Sequence, residues 1–81
     1  MKPRKLVGTV LHLSRSSGNL ILEAKGAARI GETVLDAGGR RIGTVFDLFG
    51  PVSSPFLAVK PRIDDPSGLL GEALYLEKGR Q

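Results

Sequence analysis

Few side chains in this 81-residue chain can do chemistry. His12 is the one histidine, flanked by Leu11 and Leu13, and is the side chain best matched to acting as a base near neutral pH. Ser14, Ser16 and Ser17 follow it as conceivable nucleophiles. A serine needs an adjacent base that is itself oriented, and a lone mid-strand histidine supplies no such relay. Asp64-Asp65 is a carboxylate pair in sequence, but neighbouring side chains diverge, and Asp-Asp-Pro-Ser has the composition of a turn. The chain has no cysteine, which removes thiolate nucleophiles, disulfides and zinc–thiolate sites together. Gly38-Gly39 lacks the Lys-Ser/Thr and the following helix of a phosphate loop. No catalytic set, metal site or cofactor is therefore expected, and the chain reads as a protein that is not an enzyme.

The remaining resource is charge. Twelve Lys and Arg against eight Asp and Glu leave a net +4. That excess is mild and scattered, as on a solvated surface. The basic residues with a possible RNA-facing role are Arg40, Arg41, Lys60 and Arg62. A nucleic-acid binder usually gathers its charge into runs, or adds aromatics on which bases stack.

The elements that must carry these residues are short. Eleven glycines and five prolines among residues that are 41% hydrophobic and 25% charged describe a globular chain with many turns. Strands are expected at 5–13, 19–25, 32–37, 41–50, 55–61 and 71–77. Ser17-Gly18-Asn19 suits a hairpin between the first two, with Leu20, Leu22 and Ala24 on one face and Ile21, Glu23 and Lys25 on the other. Residues 26–32 are at most one helical turn, 38–41 a tight turn and 62–70 a loop. Strict alternation fails along 41–50, where Val45 and Phe49 are apolar out of phase with Ile42, Phe46 and Leu48; a bulge near Gly43 or Asp47, or burial of both faces, would reconcile it. In 55–61, Leu57 and Val59 point inward and Phe56, Ala58 and Lys60 outward; in 71–77, Leu74 and Leu76 point inward and Tyr75 outward.

Six short strands in so small a chain protect their edges most economically by closing on themselves. The expected fold is all-β, a small closed six-stranded barrel forming a single domain over 1–81, with short flexible ends near 1–4 and 78–81. The N-terminal "MKPRKLVGTVLHL" has the basic start of a signal peptide, but its apolar part is interrupted by Gly8, Thr9 and His12 and lacks a cleavage site. No run of about 18 apolar residues is present. A cytoplasmic location is expected.

One stretch stands apart: "FDLFGPVSSPFLAVKP", 46–61, holds all three phenylalanines of the chain. Pro51 fixes its own φ, restricts Gly50 and removes an amide donor, and Pro55 repeats the constraint, so the loop between Phe49 and Phe56 is stiff. A stiff apolar loop loses little conformational entropy on binding. Either it plugs the core or it offers Phe49, Val52 and Phe56 to another molecule. Parity turns Phe56 away from the core; whether Phe49 and Phe46 belong to core or contact stays open on spacing alone.

The ordered set of "IGTVFDLFGPVSSPFLAVKP" (42–61), "GLLGEALYL" (68–76) and "GTVLHLSRSSGNLIL" (8–22) resembles the Gar-type subunit of H/ACA ribonucleoproteins over nearly the whole chain. The resemblance implies a barrel related to that of translation elongation factors. It also implies a non-catalytic subunit that docks on a dyskerin-type pseudouridine synthase and assists substrate loading and product release in guide-RNA-directed pseudouridylation, hence rRNA processing and ribosome biogenesis. The H/ACA guide RNA complex would be reached indirectly. Phe49, Gly50, Pro51, Val52, Pro55 and Phe56 would form the partner contact. The Gly-Arg-rich tails of eukaryotic members are absent here, as in the compact archaeal form. Two other readings are a PRC-type ribosome-maturation barrel, suggested by "RIGTVFDL" and "ETVLDA", and a small RNA-binding barrel.

Overall fold

A computed structural model describes residues 4–26 and 28–77 of the chain. Six strands follow one another: β1 Lys5–Leu13, β2 Leu20–Ala24, β3 Thr33–Leu35, β4 Arg41–Phe49, β5 Phe56–Pro61 and β6 Ala73–Leu76. All neighbours are antiparallel, and the order β1-β2-β5-β4-β3-β6 closes back on β1 as a barrel. No α-helix occurs among the described residues. Apart from Arg4, the ends expected to be flexible lie outside the described residues; the Arg4 guanidinium donates to the Ala37 carbonyl at 2.9 Å.

Alternation, shifted in phase by bulges in β1 and β4, builds the core. Val7 and Val10 of β1, Leu20 and Leu22 of β2, Val34 of β3, Ile42 and Val45 of β4, Leu57 and Val59 of β5, and Leu74 and Leu76 of β6 fill the interior. These are β-branched and γ-branched side chains, which pack well on a pleated surface. The 62–70 segment is more ordered than a plain loop. Pro66–Leu69 makes a 3₁₀ turn whose N-cap, Asp65, accepts hydrogen bonds from the Ser67 N–H and hydroxyl, and Leu69 drops into the core. Asp64-Asp65 is thus part of a turn, as its composition suggested, and Asp65 serves as a cap.

Both bulge positions suggested by the sequence of β4 occur. Against β3 the register slips between Arg41 and Gly43, and against β5 it slips between Val45 and Asp47, leaving Phe46 as the extra residue. The second slip explains the broken alternation: Val45 opposes Val59 inside, whereas Asp47 opposes Ala58 outside. Phe46, at the bulge, is 54% exposed.

Candidate functional site

The β4–β5 hairpin gathers the apolar segment at one end. Phe49 opposes Phe56 in the last pair of the ladder, and directly opposed residues share a face. That face is the outer one, since Leu57, the next residue, is fully buried. The two rings stack with centroids 5.7 Å apart and planes inclined by 27°. Gly50 has φ +91°, a conformation that side-chain-bearing residues seldom adopt, and it lies so close to Phe56 that a Cβ here would meet ring atom Cδ2 at 2.9 Å. The chain therefore turns directly over the ring, and Pro51 then carries it outward. Val52 at the tip is 99% exposed.

Behind the stack, the outer faces of β1 and β2 continue the apolar surface. Ile21 opposes both His12 and Ala58, forming one row across three strands, and Glu23 opposes Phe56 in the next. Ala58 points outward yet is only 5% exposed, because flanking side chains shade so small a residue. His12, Ser14, Ile21, Phe49 and Phe56 line an open groove of about 320 Å³. His12 is thus a surface residue at a groove wall. The Ser14 and Ser16 hydroxyls pair with each other at 3.3 Å. Sequence reasoning missed the contribution of Ile21 and His12 to this surface; the outward parity of Ile21 was the available signal.

Phe49, Gly50, Pro51, Val52, Pro55 and Phe56 therefore come together on one loop and its shoulders. Pro55 and Phe56 are half-buried and the rest are exposed. Leu48 is 40% exposed although it opposes the buried Leu57. The cause is that β3 ends its pairing at Thr44, so among the described residues no strand closes the barrel wall beyond that point.

The four basic residues lie at the other end of the same hairpin. Arg41 opens β4, Lys60 opposes Thr44, and the Arg62 N–H donates to the Ile42 carbonyl. At a rise of about 3.3 Å per residue, Arg41 and Phe49 sit about 26 Å apart along β4. Two of the four are already engaged: Arg40 with Asp36 at 3.2 Å and Arg41 with Glu77 at 2.9 Å. This end is a mixed-charge surface rather than a basic stripe. The Arg40 N–H above all, with the Gly38 N–H and the Arg40 guanidinium, holds the Asp36 carboxyl below its usual range.

No group of three or more His, Cys, Asp or Glu able to hold a metal occurs among the described residues, and no helix there is long and apolar enough to cross a membrane. In sequence the chain is 34% identical over 76 residues to an uncharacterized protein of Methanothermobacter thermautotrophicus, with 89% of this chain and 82% of that protein covered. No family model matches. The chain belongs to the same family as that archaeal protein.

Proposed function

We propose that this member of the family is a non-catalytic docking module, the Gar-type subunit of an RNA-guided pseudouridylation complex, and that it binds a dyskerin-type pseudouridine synthase through its 49–56 loop. The observation that carries the reading is the stiff loop whose tip residue, Val52, is 99% exposed while its shoulders are braced by the Phe49–Phe56 stack. An apolar residue held in water by two prolines and a ring stack gains nothing for the isolated barrel. It gains by burial against a partner, where anchors of this kind concentrate binding energy. The adjacent groove of about 320 Å³ is of a size to seat apolar side chains from that partner.

On this reading the protein contributes position rather than reacting groups. The closed barrel fixes both ends of the loop, so the apolar contact is presented with little entropy left to lose. The synthase supplies the chemistry on the uridine; this chain, bound beside it, assists loading of substrate and release of product. Its link to the guide RNA runs through the synthase, in keeping with a basic end in which Arg40 and Arg41 are held by acidic neighbours.

The test is titration calorimetry of the purified protein with the synthase catalytic subunit from the same source. Val52→Asp touches no core residue and should leave the barrel's circular dichroism and melting unchanged. If Val52 anchors the interface at about 2 kcal/mol or more, its replacement weakens binding at least about 30-fold. Equal affinity for the variant, or no binding by the wild type, overturns the reading.

A further inference from the structure

Beyond its bulge, β4 has a strand on one side only among the described residues. β3 pairs with β4 no further than Thr44. The segment before β3 reaches one residue more: the Gly31 N–H donates to the Val45 carbonyl at 2.8 Å, and the Val45 N–H donates to the Glu32 carbonyl at 2.9 Å. Among the described residues, 46–49 then have β5 on one side and no strand on the other. Among the described residues, no backbone hydrogen bond from outside the β4–β5 ladder reaches them. The Leu48 N–H donates instead to Oδ1 of its own neighbour, Asp47, at 2.8 Å. Phe46, Leu48 and Phe49 are 54%, 40% and 44% exposed along the same stretch.

A free edge of this kind is a template for an incoming strand. We propose that residues 46–49 receive an extended segment of the docking partner as an added β-strand, with aliphatic side chains against Phe46 and Leu48 and a lysine or arginine beside Asp47. This rests on the docking reading above, because the edge runs without a break into the 49–56 loop through Phe49.

Charge selects the occupant. Asp47 is the one charged residue in 46–49. A second copy pairing edge to edge would set two Asp47 carboxylates near each other across a two-fold axis, an unfavourable arrangement. A strand that carries a cation turns the repulsion into an ion pair. The carboxylate now on the Leu48 N–H acts as a placeholder. A partner carbonyl takes over that N–H, which releases Asp47 for the cation. In the free protein the same cap blunts an edge that would otherwise invite indiscriminate pairing.

Amide hydrogen exchange, followed by NMR on the full chain alone and bound to the synthase catalytic subunit, tests the proposal. The Leu48 amide should exchange at least about fivefold more slowly in the complex, as expected for one added backbone hydrogen bond. Leu48→Pro removes that N–H while leaving the β5 ladder intact, and should weaken the complex about fivefold or more. If this variant fails to fold, exchange in the wild type decides alone. A complex that forms with Leu48 exchanging as before overturns the added strand and leaves the docking reading standing. Absence of any complex sinks the docking reading and the proposal with it. A Leu48 amide already protected in the free protein, with a doubled mass by light scattering, would assign the edge to self-association and overturn the proposal.

Discussion

The rings of Phe49 and Phe56 lie 5.7 Å apart on the outer wall of the barrel, stacked across the last pair of the β4–β5 ladder. The stack closes the base of the loop on which Val52 stands clear of the protein. It joins two properties that usually conflict: the loop is apolar, and it is held away from the core. The ladder supplies one half of that solution and Gly50, turning tightly over Phe56, supplies the other.

The stack should be measurable as a coupling. Phe49→Ala and Phe56→Ala, alone and together, form a double-mutant cycle by urea denaturation. A coupling of about 0.5–1.5 kcal/mol is expected for an aromatic pair. Strict additivity would mean that the rings lie beside each other without supporting each other. Phe56, the more buried of the two, should cost more alone.

Gly50→Ala should destabilise the protein by about 1–3 kcal/mol, since it adds backbone strain at φ +91° to a clash with the Phe56 ring. Gly18→Ala is the control: its φ is +76°, but nothing lies within 4 Å of the added methyl, so only the strain remains. Thermal melting separates the two, at roughly 4–8 °C per kcal/mol for a domain of this size. Equal shifts for both variants would show that the ring moves aside at no cost.

Leu57→Ala should cost about 2–5 kcal/mol, because Leu57 is fully buried where β2, β4 and β5 meet and the barrel cannot collapse around the void. For a chain of this length that is a large share of the total stability. Val52→Asp, by contrast, should leave the midpoint of chemical denaturation in place. A large shift for Val52→Asp would mean that the loop is stabilised by contacts it does not make here.

Acid should loosen the β3–β4 turn. The Asp36 carboxyl is held below its usual range, first by the Arg40 N–H and then by the Gly38 N–H and the Arg40 guanidinium. A carboxyl lowered on folding contributes stability that is present above the unfolded value of about 3.9 and is lost as the pH falls through the lower folded value. Melting temperatures compared at about pH 7 and about pH 3 should therefore fall further for the wild type than for Asp36→Asn. Parallel pH dependence in the two proteins would remove Asp36 from the account.

Much of this fold was legible in the residues. β1 matches its expected bounds because a β-branched and aliphatic run ends there at a turn cluster, and β2, β5 and β6, marked by alternation, fall within a residue or two of theirs. The two bulges in β4 were legible as a failure of alternation between Ile42 and Phe49. Less legible was the segment 62–70, where a short 3₁₀ turn buries Leu69; turn-forming residues announce a reversal, not which apolar side chain after it reaches the core. Of the candidate contact residues, the prolines and Gly50 were readable from their φ restrictions. Phe49 was not, because apolar residues of both parities along 41–50 left its face undecided.

The sequence by itself determined that this is an all-β chain of six strands, that the segment around Gly50, Pro51 and Pro55 is stiff and apolar, and that its basic residues are too dispersed to form a stripe. Only the tertiary structure decided which of these apolar groups face water. Inward or outward parity is a property of one strand, but burial depends on how far the neighbouring strands extend. β3 begins only at Thr33, opposite Thr44, so among the described residues no strand flanks Leu48 on that side and it is exposed despite its inward parity; Ala58, shaded by flanking side chains, is buried despite its outward one. Among the described residues the same short strand leaves 46–49 with an open edge, which no local pattern of residues could have shown.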